Sequence, residues 1–172
     1  MSESLLLNAI RAGDVEAAKQ LAGADTVNAA AADGTTPLML AAARGDRALC
    51  ALLLERGAAV NAADERGYTA LFRACWDAEA DSGYPEVVQQ LLDAGADKEA
   101  RIGFGVRPLM YAAGNGEAAV VETLLRAGAD PLARNEVGRT ALMMVKDRNY
   151  VDVINILHEA EARLEAGSCG SR

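Results

Sequence analysis

The sequence predicts an all-α solenoid, a stack of helix-turn-helix units joined by short hairpin loops. Three observations carry that prediction: a motif that returns at near-constant spacing, a composition rich in small residues, and turn residues where each short helix must start and stop. The motif reads GTTPLMLAAARGD from Gly34, GYTALFRAC from Gly67, GVRPLMYAAGNGE from Gly105 and GRTALMMVKDRN from Gly138, at intervals of 33, 38 and 33 residues. A second motif follows each copy: CALLLERGAAVNA from Cys50, VQQLLDAGADKEA from Val88, VETLLRAGADPLA from Val121, and INILHEAEAR from Ile154, which drops the Gly-Ala-Asp. A degenerate first copy, LLLNAIRAGDVEAAKQLAGADTVNA, begins at Leu5. Self-similarity at this period is the signature of stacked supersecondary repeats.

Each element of the unit has a local reason. Thr36, Thr69 and Thr140 stand where a hydroxyl caps a short helix. Pro37 and Pro108 take the first helical position, where a missing N–H costs nothing. Leu38, Ala41 and Ala42 then form an apolar stripe at helical spacing, with small residues permitting close approach. Gly45 ends this first helix. Leu49, Cys50, Leu52 and Leu53 make the second, and Gly57, Gly95 and Gly128 stop it in the manner of a left-handed C-terminal cap. The Asn-, Asp- and Gly-rich segment before the next Thr is a turn or short hairpin. The units run approximately over residues 4–30, 31–63, 64–101, 102–134 and 135–165 in a single domain, 1–166, with the first and last as caps. The tail 167–172 has no periodicity and is expected to be disordered.

Composition bounds the function. A chain of 172 residues has room for one domain with a sizeable core. Hydrophobic residues make up 51%, much of it alanine, and aromatics only 4%, which suits close-packed small helices. The net charge of −8 disfavours nucleic acid and anionic membrane as partners and is compatible with a protein partner that has a basic surface. No apolar run approaches the roughly 20 residues of a membrane span, and the N-terminus has no basic region of a signal peptide. Cys50, Cys75 and Cys169 form no CxxC, as fits a reducing compartment, so the expected location is cytoplasmic.

The pattern of G-x-T-P-L, then Ala-Ala, Gly, Leu-Leu and Gly-Ala at a 33-residue period resembles the ankyrin repeat over roughly residues 4–164. Two departures stand out. The family often has His after the Leu, bonded to the Thr; here Met39, Phe72, Met110 and Met143 replace it, so apolar packing must substitute. Arg107 replaces the Thr of the fourth copy, so that cap is weakened or made differently. The longer 38-residue interval comes from five extra residues within 77–82, since Leu38 to Gly45 is 7 residues and Leu71 to Gly83 is 12. Asp77, Glu79 and Asp81 alternate there as in an EF-hand loop, but Ser82 and Val88 occupy the positions that need Gly and Glu. A solvated acidic loop is expected, and no metal or cofactor.

No catalytic constellation is visible. His158 is the only histidine, Cys50 and Cys75 align with packed small residues, and no phosphate-binding or metal-spaced motif is present. The resemblance implies a concave face of hairpin tips and first helices. It places Asp33, Thr35, Arg66, Tyr68, Phe104 and Val137 on exposed hairpins. It places Arg44, Arg73, Trp76, Asp77, Tyr111 and Arg148 on first helices. Of the seven aromatics, Tyr68, Trp76, Phe104 and Tyr111 fall on this face. The expected function is therefore a monomeric, non-enzymatic protein-binding module, an adaptor or an inhibitor of immunity type, that binds through the hairpin tips and first helices of the third and fourth repeats. Its expected contacts are Arg44, Arg66, Tyr68, Arg73, Trp76, Asp77, Phe104, Tyr111 and Arg148. The alternative is a ligand- or metal-responsive regulator that uses the acidic insertion.

Overall fold

The computed structural model describes residues 4–76 and 82–169. It divides into two compact units, Met1–Asp97 and Lys98–Arg172. The first holds α1 (Leu5–Ala12), α2 (Val15–Leu21), α3 (Pro37–Ala43), α4 (Arg47–Glu55), α5 (Ala70–Cys75) and α6 (Pro85–Asp93). The second holds a single 3-10 turn, Gly103–Gly105, then α7 (Pro108–Gly114), α8 (Ala118–Arg126), α9 (Ala141–Val145) and α10 (Val151–Cys169). Among the described residues there is no β-strand; an isolated bridge joins Ile102 and Val106. The all-α repeat architecture expected from the sequence is what forms. Where most contacts join sequence neighbours, compact units divide near repeat boundaries rather than around one centre.

Within the first unit, α3 packs between α1 and α5, while α4 packs between α2 and α6. In the second, α7 lies against α9 and α8 against α10. First helices thus form one layer of each unit and second helices the other. The first layer closes on Ala41, Ala42, Ala74 and Cys75 in one unit and on Ala112 and Ala113 in the other, all fully buried. Cys50, Val88 and Val121, which share one repeat position, are buried in the same way.

The caps show how the missing histidines are replaced. Thr36 Oγ1 accepts from Met39 N–H at 3.3 Å, and the Met39 thioether accepts from Thr36 N–H at 3.4 Å. Sulfur closes a reciprocal capping box, a role beyond the packing expected of it. Thr140 caps α9 through Met143 N–H at 3.3 Å. Thr69 does not cap α5: its hydroxyl is buried with no hydrogen-bond partner, which corrects the sequence expectation. Arg107 makes no side-chain cap either; its guanidinium pairs with Glu99 at 3.0 Å and donates to Arg134 O at 2.7 Å. Asp14 and Asp46 cap the second helices α2 and α4.

Three kinds of bond recur with the repeat. Each hairpin carries the same closing backbone bond, from Ala31 N–H to Thr35 O, from Asp64 to Tyr68, from Ile102 to Val106 and from Asn135 to Arg139. Asn28 and Asn61 reach to the end of the next second helix. Each donates to a glycine carbonyl, Gly57 or Gly95, and accepts from Ala59 or Asp97 N–H. Glu99 takes that place in the second unit and accepts from Asp130 N–H. The third device is a tyrosine laid on the inter-helix turn of the preceding repeat: Tyr84 on Gly45 and Tyr150 on Gly116, where an added Cβ would collide with the ring.

The last helix continues to Cys169, three residues beyond the Ala166 boundary drawn from the sequence. Backbone hydrogen bonds propagate a helix past the point where its apolar face has no further partner.

Two pairs of substitutions test these devices by chemical denaturation. Thr36→Val is expected to cost about 1 kcal/mol by removing a cap, whereas Thr69→Val is neutral or stabilising because it removes a buried unpaired hydroxyl. Both Gly45 and Gly57 have positive φ, 66° and 87°, but only Gly45 lies under a ring. Gly57→Ala should cost about 1 kcal/mol and Gly45→Ala roughly 2–3 kcal/mol, the excess being the displacement of Tyr84.

Candidate functional site

The sequence-derived contact residues fall on both units. In the first unit they gather around an aspartate that sequence reasoning passed over. Asp64 opens the hairpin before α5, and its side chain is 5% exposed. Its Oδ1 accepts from the N–H groups of Arg66 and Tyr68, each at 2.9 Å. Its Oδ2 pairs with Arg73 Nη2 at 2.9 Å. The Arg73 guanidinium lies 5.0 Å from the centroid of the Tyr68 ring. Tyr68 in turn meets Phe72 edge-on, with centroids 5.7 Å apart. One carboxylate therefore shapes the hairpin and positions both Arg73 and Tyr68. The available signal was the recurrence of Asp or Asn at this place, since Asn135 accepts from Val137 and Arg139 N–H in the same pattern.

The other first-unit candidates differ in their surroundings. Arg66 is exposed, and its backbone is held by Asp64. Arg44 is exposed at the end of α3, with its guanidinium over the Gly13 turn. Trp76 is half-buried and ends α5 in extended backbone. Asp77 and the rest of the acidic insertion up to Asp81 lie outside the described residues. Thr35, expected to be exposed, is buried. Its N–H donates to Asp33 at 3.0 Å, and this bond is the main cause holding the Asp33 carboxyl below its ordinary range.

In the second unit, Phe104 stands at a hairpin tip, 73% exposed, and its carbonyl accepts from Glu136 N–H at 3.0 Å. Val137, at the matching tip of the next hairpin, is 66% exposed. Tyr111 is half-buried on α7, and its carbonyl accepts from Asn115 Nδ2. Arg148 is exposed but anchored, donating to Gly114 O at 3.0 Å and lying 5.9 Å from the Tyr150 centroid. Between α8 and α10 runs a groove of about 660 Å³, floored by Leu125, Ile156 and Leu164. An Arg163–Glu159 pair at 3.2 Å lies on its wall.

The chemistry of these surfaces is that of contact. Burial pushes the Cys50 thiol up to about 12, with a smaller contribution from the nearby Asp46 carboxylate, so it carries no thiolate at neutral pH. Cys75 is a buried thiol, and His158 is exposed on α10. Among the described residues, no three His, Cys, Asp or Glu side chains group as a metal site would require. No helix among them is long and apolar enough to cross a membrane.

A family model described as ankyrin repeats in three copies matches residues 6–102 and 78–167, nearly the whole chain. The chain belongs to the ankyrin repeat family. Ankyrin repeats are protein-interaction domains, typically without enzymatic activity. The chain is similar to ankyrin repeat domain-containing protein 63 of Homo sapiens, 42% identical over 117 residues, covering 64% of this chain and 30% of that protein. It is also similar to ankyrin repeat and SAM domain-containing protein 6 of Rattus norvegicus, 38% identical over 99 residues, covering 56% of this chain and 11% of that protein. A third relative is protein phosphatase 1 regulatory subunit 27 of Homo sapiens, 33% identical over 101 residues, covering 58% of this chain and 62% of that protein. The match thus spans less than a third of the length of the first two of these ankyrin repeat proteins.

The Asp64 network yields a graded prediction. Asp64→Asn keeps the acceptor for the hairpin and loses the ion pair, costing about 1 kcal/mol. Asp64→Ala loses both and costs roughly 3 kcal/mol. Equal losses in urea titrations of the two variants would show that the hairpin does not draw on the Oδ1 bonds.

Proposed function

We propose that this ankyrin repeat chain is a non-enzymatic, monomeric module that grips a protein partner through its hairpin tips and first helices. It would act as an adaptor, or as an inhibitor of immunity type that occludes its target, in the cytoplasm. The first unit contributes Arg44, Arg66, Tyr68, Arg73 and Trp76; the second contributes Phe104, Tyr111 and Arg148. The observation that carries this reading is the Asp64 network. It holds an arginine and a tyrosine, residue types that dominate binding hot spots, in fixed positions on the hairpin side of the repeat. A regulatory subunit among the relatives supports a role exerted by binding rather than by chemistry.

The net charge of −8 does not by itself set the sign of the partner's surface. Charge is unevenly spread: residues 101–107 and 134–139 of the second unit carry Arg101, Arg107, Arg134 and Arg139 against the single carboxylate of Glu136.

Trp76→Ala and Tyr111→Ala test the reading, using a partner isolated by affinity capture from native lysate. Each is expected to weaken binding by about tenfold or more while the melting temperature moves by only a few degrees. Strong destabilisation with unchanged affinity would instead make these rings packing groups and remove them from the surface.

A further inference from the structure

Phe104 occupies a backbone conformation that its side chain disfavours. Its φ is 61° and its ψ 20°, and it is the only non-glycine residue with positive φ among those described. A left-handed backbone costs an L-residue about 1–2 kcal/mol, and a large side chain there is an outlier. Burial does not offset that cost, because the ring is exposed. The matching tip positions hold Asp33, Arg66 and Val137, none with positive φ. Glycine would serve the turn better, and glycines already flank it at 103 and 105.

The backbone around the strained residue is held in place by bonds that also recur around Asp33, where φ is not positive, so they fix the hairpin without requiring the strain. Ile102 N–H donates to Val106 O and Gly105 N–H to Ile102 O, both at 3.0 Å. Glu136 N–H clamps the Phe104 carbonyl itself. Gly105 is buried against Glu136, where a Cβ would lie 3.1 Å from Glu136 Cγ. The ring is therefore held outward on a fixed backbone, beside the exposed Val137 of the neighbouring tip. A strained residue kept on a bonded backbone points to function, and a side chain already in place loses little freedom on binding. Arg101 and Arg139, both exposed, stand in the same two hairpins.

We propose that Phe104 is a preformed plug for an apolar socket on a folded protein partner. Val137 covers the edge of that socket, and carboxylates on its rim meet Arg101 and Arg139. The inference rests on the protein-binding reading and adds the partner's chemistry: an apolar recess with an acidic border, although the chain as a whole is acidic.

The test places the photoreactive residue p-benzoylphenylalanine at position 104 of the full chain, and separately at position 76, for irradiation in native lysate. The proposal expects an adduct from position 104 in a protein segment of apolar side chains flanked by Asp or Glu. Charge reversal by Arg101→Glu with Arg139→Glu should reduce that adduct about tenfold or more. An adduct flanked by Lys or Arg, or one indifferent to charge reversal, overturns it. So does capture of the chain by phosphatidylserine vesicles through this tip. Adducts from position 76 alone sink the plug and leave the protein-binding reading standing; adducts from neither position sink both. Phe104→Gly gives an independent readout: melting unchanged or higher, affinity lower by about tenfold or more. Lower melting with unchanged affinity would make the ring a folding group.

Discussion

Helices of five to seven residues, such as α9, α5 and α3, do not survive alone in water. An isolated helix needs about 12–15 residues to be even marginal. Everything else here depends on the neighbouring repeat supplying what each helix lacks. Alanine and cysteine at the inter-helix positions let first helices approach closely within each unit. Asn28, Asn61 and Glu99 tie one repeat to the carbonyls and amides that end the next second helix. These bonds satisfy helix-end groups that would otherwise be left open, so the same contacts stack the repeats and finish their helices.

That dependence explains the character of the candidate surfaces. A hairpin whose backbone is bonded to the next hairpin holds its tip residues in place without a packed core of its own. Glu65 N–H donates to Asp33 O in the first unit, and Glu136 N–H to Phe104 O in the second. The two units use this rigidity differently. In the first, a buried carboxylate organises an arginine and a tyrosine. In the second, two apolar tips project amid arginines. A chain with few aromatics places several of them on its hairpins and first helices, and the ankyrin repeat family is one of interaction domains.

Much of this was legible from residue types alone. Thr36 and Thr140 cap their helices, Pro37 and Pro108 open theirs, and Cys50 and Cys75 are core residues, all as their repeat positions imply. What escaped notice involved partners distant in sequence or chemically unusual. Asp64 was passed over because Arg73, nine residues on, becomes its neighbour only after α5 forms. Met39 looked like a packing residue because a thioether is a weak acceptor, useful only when the backbone brings Thr36 N–H to it. Tyr84 follows the insertion in sequence, yet it covers Gly45 of the preceding repeat. Tyr150 covers Gly116 in the same way at 34 residues rather than 39, and the difference of five is the insertion itself.

The sequence by itself determined the repeat, its helices and their stops, because those follow from local preference and from a period that every copy restates. It also determined the likeness to an ankyrin repeat chain, because several correlated motifs at one spacing leave little else to fit. Only the tertiary structure decided which side chains are held and which are presented. Tyr68 and Arg73 are pinned by a carboxylate, and Phe104, in a left-handed backbone, is tied by its carbonyl to another hairpin. Such constraints arise between segments far apart in sequence. No local preference announces them, and in the case of Phe104 local preference opposes the conformation that the hairpin adopts.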